Sequence, residues 1–340
     1  EEQRMGQMTL GAGFFFFFNI SGFFEISHGN FSLWDWPPVG GGQKLKFRST
    51  LGTERQEVEF SFVEPWFLDR KLSLSLDIFS RETRFLSDDY DQRNQGFNLG
   101  LGWPVGRFTR LNARYGLENF DIYNVNSNAS QRIREEEGKR LKSSLTLTST
   151  FDTRDSFYIP SRGTRIVLTG QLAGGVLGAD TDIYSLTLRT SQYWPLWWDH
   201  ILSLRTRFGV VEYYGDSDRV PIFDRFFLGG PYTLRGFDYR DVGPVDEENE
   251  PIGGQTMAFG SVEYSVPLME RVRVATYYDA GMVWEEAYTV EGDLNSDVGG
   301  GIRFDIPMFP LRFDYAWPIE TDPHNDRSSA RFSFIIGYIY

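Results

Sequence analysis

Apolar and polar residues alternate with a period of two along nearly the whole chain, the pattern of strands with one apolar and one polar face. In 141–152 the apolar set is Leu141, Leu145, Leu147 and Phe151, against Lys142, Ser144, Thr146, Thr148, Thr150 and Asp152. Leu72, Leu74, Leu76 and Ile78 alternate with Ser73, Ser75 and Asp77. Leu202, Leu204, Phe208 and Val210 alternate with Ser203, Arg205 and Arg207. Segments of this kind predict strands near 7–15, 20–28, 43–53, 55–63, 70–82, 94–103, 107–119, 140–152, 163–173, 182–194, 200–212, 255–267, 271–283, 297–306, 311–319 and 330–340. That is sixteen, an even number, as bacterial barrels require for both termini to lie on one side.

The linkers alternate in character as well. Glu64-Pro65-Trp66-Phe67, Trp103-Pro104-Val105-Gly106, Trp194-Pro195-Leu196-Trp197-Trp198 and Pro307-Met308-Phe309-Pro310 are short and rich in proline and aromatics. The segments 84–93, 120–138, 213–254, 285–296 and 320–329 are longer and polar. Short turns on one rim, long loops on the other and aromatics at the strand ends are the asymmetry of outer-membrane barrels. Lipid cannot hydrogen-bond a strand edge, so a sheet in a membrane must close on itself. Alternation alone fits a soluble β-protein equally, since it does not say which face points inward. The linker asymmetry and the tryptophans favour a 16-stranded antiparallel transmembrane β-barrel. One segment departs from the pattern: Phe14–Phe18 is a run of phenylalanines where the first hairpin should turn.

Composition narrows the reading. The 30 Phe, 17 Tyr and 9 Trp among 340 residues exceed what a soluble core requires. The absence of cysteine removes disulfides and thiolate metal sites. A net charge of −13 argues against a nucleic-acid partner, whose footprint would be a basic patch. No apolar run of roughly 18 residues is present to form a membrane-spanning helix. No secretory pattern is visible at Glu1. Residues 1–340 therefore read as one barrel domain, with N-terminal periplasmic domains absent from this chain. His28, His200 and His324 lack metal-ligand spacing, and no Gly-x-Ser-x-Gly elbow occurs. No cofactor, metal or catalytic role is expected.

The longest loop, 213–254, carries Gly229-Gly230-Pro231-Tyr232-Thr233-Leu234-Arg235-Gly236-Phe237. Further along and before it stand Phe151-Asp152-Thr153-Arg154-Asp155 with Pro160-Ser161-Arg162-Gly163-Thr164, Tyr277-Tyr278-Asp279-Ala280-Gly281, Pro310-Leu311-Arg312-Phe313-Asp314-Tyr315-Ala316 and the terminal 332–340. In this order they resemble the conserved segments of the BamA family, with Leu234, Arg235, Gly236 and Phe237 as its loop-six motif. The matches span most of the chain. Asp152, Arg154 and Asp155 read as a salt-bridged turn, because two acids and an arginine make a poor cation cage.

The strand faces lead to the same loop. In 257–266 the apolar set Ala258, Val262, Tyr264 and Val266 leaves Glu263 on the lumen side. In 271–281 the set Val272, Val274, Thr276 and Tyr278 does the same for Asp279. Two carboxylates held close need a cation, and arginine offers a planar fork with five donors. The loop is therefore predicted to fold into the lumen and pair Arg235 with Glu263 and Asp279, as the resemblance also implies.

The resemblance further implies a lateral seam between the first and last strands, with Leu10, Gly11, Gly13, Gly337 and Tyr340 along it. Glycine weakens a strand, and an opened edge is a template for strand addition. These glycines equally well relieve crowding in a curved barrel. On this reading the chain inserts and folds other barrels into the bacterial outer membrane. Its implied partners are nascent outer-membrane β-barrel proteins, accessory assembly lipoproteins reached through the periplasmic domains, and outer-membrane lipids, whose thinning beside a short seam would help. The alternatives are TamA-like or two-partner-secretion translocation of a protein client, which shares the loop motif, and a passive porin, which would pass steady large currents.

Overall fold

The computed structural model describes residues 6–15, 19–53, 55–84, 89–292, 294–306, 310–325 and 330–336. Among the described residues sixteen strands follow one another in the order of the chain, and no described helix is long and apolar enough to cross a membrane. By internal contacts the chain divides into two compact units.

The first unit comprises 1–148, 171–183 and 215–217. It holds β1 (Gly6–Phe15), β2 (Asn19–Phe31), β3 (Gln43–Gly52), β4 (Arg55–Glu64), β5 (Ser73–Thr83), β6 (Asp91–Val105), β7 (Thr109–Tyr123) and most of β8 (Gly138–Asp152). β1 to β7 form an antiparallel meander, its register interrupted between His28 and Phe31 where β2 pairs with β3. Its alternation is the inverse of a soluble protein's. In β4, Val58 and Phe60 are 44% and 37% exposed, whereas the Glu57 and Glu59 side chains between them are 11% and 20% exposed. In β8, Leu141, Leu145 and Leu147 are exposed and Lys142 and Ser144 are buried. The covered charges are paired across neighbouring strands, Glu57 with Arg81 and Glu82 with Arg93, each directly opposite the other in register. An apolar face turned outward and a charged face turned inward suit a lipid surroundings and would be unfavourable in water.

The second unit comprises 149–170, 184–214 and 218–340. It holds most of β9 (Gly163–Ala173) and β10 (Ile183–Pro195), then β11 (Ile201–Tyr213), β12 (Thr256–Met269), β13 (Val272–Trp284), β14 (Asn295–Phe304), β15 (Leu311–Glu320) and β16 (Arg331–Ile336). β11 to β16 form a second antiparallel run. Phe208, Val262, Val274, Tyr278, Val298, Tyr315 and Phe332 are exposed, while Ser203, Ser261, Asp279, Asp297, Asp314 and Ser333 on the alternate positions are buried.

The strands overrun the polar linkers at several ends. β6 starts at Asp91 and β7 runs to Tyr123, so that Asp91 pairs with Tyr123 beyond the predicted limits of 94 and 119. Charged residues there end the apolar alternation but not the backbone ladder, which needs no apolar side chain. The short aromatic connection at Leu196–His200 turns through left-handed backbone at Trp198 (φ 56°) and Asp199 (φ 58°), matching a type I′-like hairpin turn. Trp103–Val105 belong to β6 rather than to the turn that follows it. The predicted turn over 307–309 and the strand end over 337–340 lie outside the described residues, as do Phe16–Phe18.

Candidate functional site

The loop between β11 and β12 is held together from within before it presents any side chain. Isolated bridges join Phe226 to Gly254, Leu228 to Val242 and Val245 to Pro251. The tip 229–237 is a tight double turn. Gly230 N–H donates to the Phe237 carbonyl at 3.1 Å, Thr233 N–H to the Gly230 carbonyl at 3.1 Å, and Phe237 N–H to the Leu234 carbonyl at 3.3 Å. Gly229 adopts φ +103°, and a Cβ there would collide with the Asp238 carbonyl, so the turn requires glycine.

Leu234 and Phe237 anchor the tip. Both are buried in an apolar cluster with Leu228, Val242, Met257, Phe259 and Val283, which joins loop residues to the inward faces of β12 and β13. Burying two such side chains contributes about 1.5–3 kcal/mol each, and it fixes the position of Arg235 and Gly236 between them. Gly236 completes the fit. Its N–H donates to Asp297 Oδ2 at 2.9 Å, and an added Cβ would lie 2.7 Å from the Asp297 Cβ.

Arg235 is fully buried. Its Nε donates to Asp279 Oδ2 at 2.6 Å and its Nη2 to Asp279 Oδ1 at 2.8 Å. Nη1 donates to Glu263 Oε2 at 2.8 Å, and Nη2 also reaches Ser261 Oγ at 3.2 Å. The guanidinium carbon lies 3.2 Å from the centroid of the Tyr277 ring, so the plane stacks on an aromatic face as arginine favours. Tyr277 fits because Gly299, directly opposite it on β14, has no side chain; a Cβ there would overlap the phenol.

The acids are shared. Glu263 also accepts from Arg303 Nη2 at 2.9 Å and from Arg312 Nη2 at 2.9 Å, and Arg303 Nη2 lies 2.7 Å from Asp314 Oδ1. Three arginines thus meet Glu263, Asp279 and Asp314, with Arg235 Nη1 at 3.8 Å from Asp314. A buried ion pair adds little net stability, because desolvating each charge costs several kcal/mol. Removing one partner, however, leaves an unpaired buried charge and costs about 3–5 kcal/mol. The network therefore specifies where the loop sits against β12–β15 more than it stabilises the sheet.

Ser261, Asp297, Tyr277, Arg303, Arg312 and Asp314 were not singled out as site residues by sequence. Their signal was nevertheless present. Arg312 and Asp314 alternate with Leu311, Phe313 and Tyr315, and Arg303 and Asp297 alternate with Ile302 and Val298. The alternation puts these charged residues on the inward faces of two successive strands, β14 and β15, but which of them meet is set by the register.

At the other motifs, Arg154 forms a bidentate pair with Asp152, through Nε at 3.0 Å and Nη2 at 2.8 Å, and Asp155 accepts from the Ser161 and Arg162 backbone. Burial alone would raise the Asp155 carboxyl, but hydrogen bonds from Ser161 hold it below its ordinary value. No cluster of metal-ligating side chains occurs among the described residues. Leu10, Gly11 and Gly13 lie in β1, opposite Phe24, Phe23 and Ser21 of β2; Gly337 and Tyr340 lie outside the described residues.

A family model described as the Omp85 superfamily domain matches residues 39–340. The outer membrane protein assembly factor BamA of Nitratidesulfovibrio vulgaris is 29% identical over an alignment covering 100% of this chain and 42% of that protein. The chain thus spans less than half the length of this curated relative. The crystal structure of BamA from Haemophilus ducreyi lacking POTRA domains 1–3 superposes with a TM-score of 0.85 at 21% identity, covering 99% of this chain and 71% of that one. CdiB from Acinetobacter baumannii gives a TM-score of 0.59 at 16% identity, covering 98% and 60%. At these identities the structural likeness shows the fold, a β-barrel.

Proposed function

Because the chain belongs to the Omp85 superfamily, we propose that it inserts and folds β-barrel proteins into the bacterial outer membrane, in which it is itself a barrel. The observation that carries this reading is the whole-chain similarity to a protein named as an outer membrane protein assembly factor. The inverted alternation supports the membrane setting, since Val58, Phe60 and Leu147 face outward while charged side chains are covered.

In the proposed mechanism no covalent bond is made or broken. β1 and the last strand part along a seam carrying Leu10, Gly11, Gly13, Gly337 and Tyr340, and the free edge of β1 pairs with the C-terminal strand of a client. The driving force is backbone hydrogen bonding, because an edge in lipid has no water to satisfy it. The Arg235 network keeps the β12–β15 wall and its loop fixed while the seam moves. Accessory assembly lipoproteins would act through periplasmic domains, and lipids through thinning beside the seam.

A two-partner-secretion role is the second reading, since CdiB shares the fold. It is favoured less, because the superposition on BamA is much closer. The two differ in where the client goes, to the β1 edge or through the lumen. Vesicles bearing the full-length protein should accelerate folding of a urea-unfolded outer-membrane barrel, read by its heat-modifiable gel mobility. A rate equal to that of empty vesicles would contradict the assembly reading.

A further inference from the structure

Beside the Arg235 network, the second unit encloses a cavity of about 130 Å³. A single water needs roughly 10–15 Å³ of such space, so the cavity has room for a small oxyanion with its waters. Its charged lining consists of Arg205, Arg273, Arg303, Arg312, Glu263 and Asp305. Four arginines thus face two carboxylates, and one of these, Glu263, is also held by Arg235.

The arginines are incompletely satisfied. Arg303 and Arg312 each bring a terminal nitrogen to Glu263, but their Nε atoms are buried without a hydrogen-bond partner among the described residues. The Arg303 side chain is only 7% exposed. Arg205 donates to the neutral Ser261 Oγ at 3.1 Å. Arg273 donates to Ser265 Oγ at 3.2 Å and to the Asp199 carbonyl at 3.0 Å. The adjoining inward face adds Arg165, Arg189 and Arg207. In a chain of net charge −13, this concentration of arginine stands against the average.

Buried cations without counter-charge are costly, and an anion in the cavity would supply both charge and acceptors. A single carboxylate offers one charge. A phosphate monoester or free phosphate offers a charge of about −1.5 to −2 and three strong acceptor oxygens, which suits Arg205 and Arg273, whose hydrogen bonds go to neutral acceptors, and the unpartnered Nε–H groups of Arg303 and Arg312. Arginine forks suit that geometry. We propose that this cavity is a binding site for a phosphate group, carried either by free phosphate or by a phospholipid headgroup. Tyr158, Pro160 and Pro310 line it from the connections between strands, which places the entrance at the short-turn end. The proposal is independent of the assembly reading and would survive its failure.

The test is a phosphorus NMR titration of inorganic phosphate with the full-length protein, folded in a phosphate-free maltoside detergent. Saturable broadening is expected. Arg205→Gln and Arg273→Gln, which leave the ion pairs to Glu263 intact, should each weaken binding about tenfold, equivalent to 1.4 kcal/mol. Arg110→Gln, at an exposed site on β7, should leave it unchanged, with heat-modifiable mobility confirming that every variant folds. Competition by dihexanoylphosphatidic acid would assign the site to a headgroup, and its absence to free phosphate. Lack of saturable binding to the unsubstituted protein, or equal affinity in both cavity variants, would overturn the proposal.

Discussion

Arg235 and Asp279 meet through two parallel hydrogen bonds, Nε to Oδ2 at 2.6 Å and Nη2 to Oδ1 at 2.8 Å, with both side chains fully buried. The pair joins a loop residue to a strand residue 44 positions later in the chain. Replacing Arg235 by alanine leaves two buried carboxylates without their shared cation. The expected loss is about 3–5 kcal/mol, measurable as a lower urea midpoint for unfolding from micelles or bilayers. Arg235→Lys should recover only part of it, because an ammonium cannot form the parallel pair. An alanine variant within about 0.5 kcal/mol of the parent, the range of an ordinary surface substitution, would show that the network does not fix the loop.

Glu263 is the carboxylate that three arginines share. Glu263→Gln should therefore cost about as much as the loss of Arg235, and the two effects should not add. A double-mutant cycle between Arg235→Ala and Glu263→Gln is expected to give a coupling of about 0.5–3 kcal/mol. Additivity would mean that the contacts carry no mutual energy.

Two glycines have spatial rather than conformational roles. Gly299→Ala would drive a methyl into the Tyr277 ring, and Gly236→Ala would press on Asp297. Overpacking of this kind costs about 1–3 kcal/mol. Combining Gly299→Ala with Tyr277→Leu should restore part of that loss, checked by the same unfolding midpoints. No rescue would mean that the ring is not what the glycine accommodates.

The outward apolar face makes its own prediction. Phe60→Arg places a charge on a face that meets lipid and should cost about 2–4 kcal/mol near the bilayer centre. The same change at Ser61, on the covered face, should cost less. Folding equilibria in bilayers measure both, and equal costs would contradict the inverted arrangement.

How much of this was legible in the sequence follows from which forces act on each residue. Alternation exposed the strands because the period of two is imposed by the pleat itself. It also placed Glu263 and Asp279 on one face, since Val262 and Tyr278 beside them had to face lipid. It could not say that Arg303, Arg312 and Asp314 join them, because that depends on the register of β13, β14 and β15, which pairs Arg303 with Arg312 and Gly301 with Asp314. Nor could it locate strand ends such as Asp91 and Tyr123, where backbone pairing continues after the apolar pattern stops. The cavity beside Glu263 was invisible for the same reason, being assembled from residues more than 150 positions apart.

The central claim is that the edge of β1 receives a client strand. The chain has no cysteine, so a cysteine at Leu10 can be tested by disulfide crosslinking against cysteines scanned over 333–339, in outer membranes, with and without a folding client. The account predicts a crosslink across the seam in the absence of client, and its loss as a cysteine in the client's C-terminal strand captures position 10. A seam that crosslinks identically under both conditions, with no client ever reaching position 10, would contradict it.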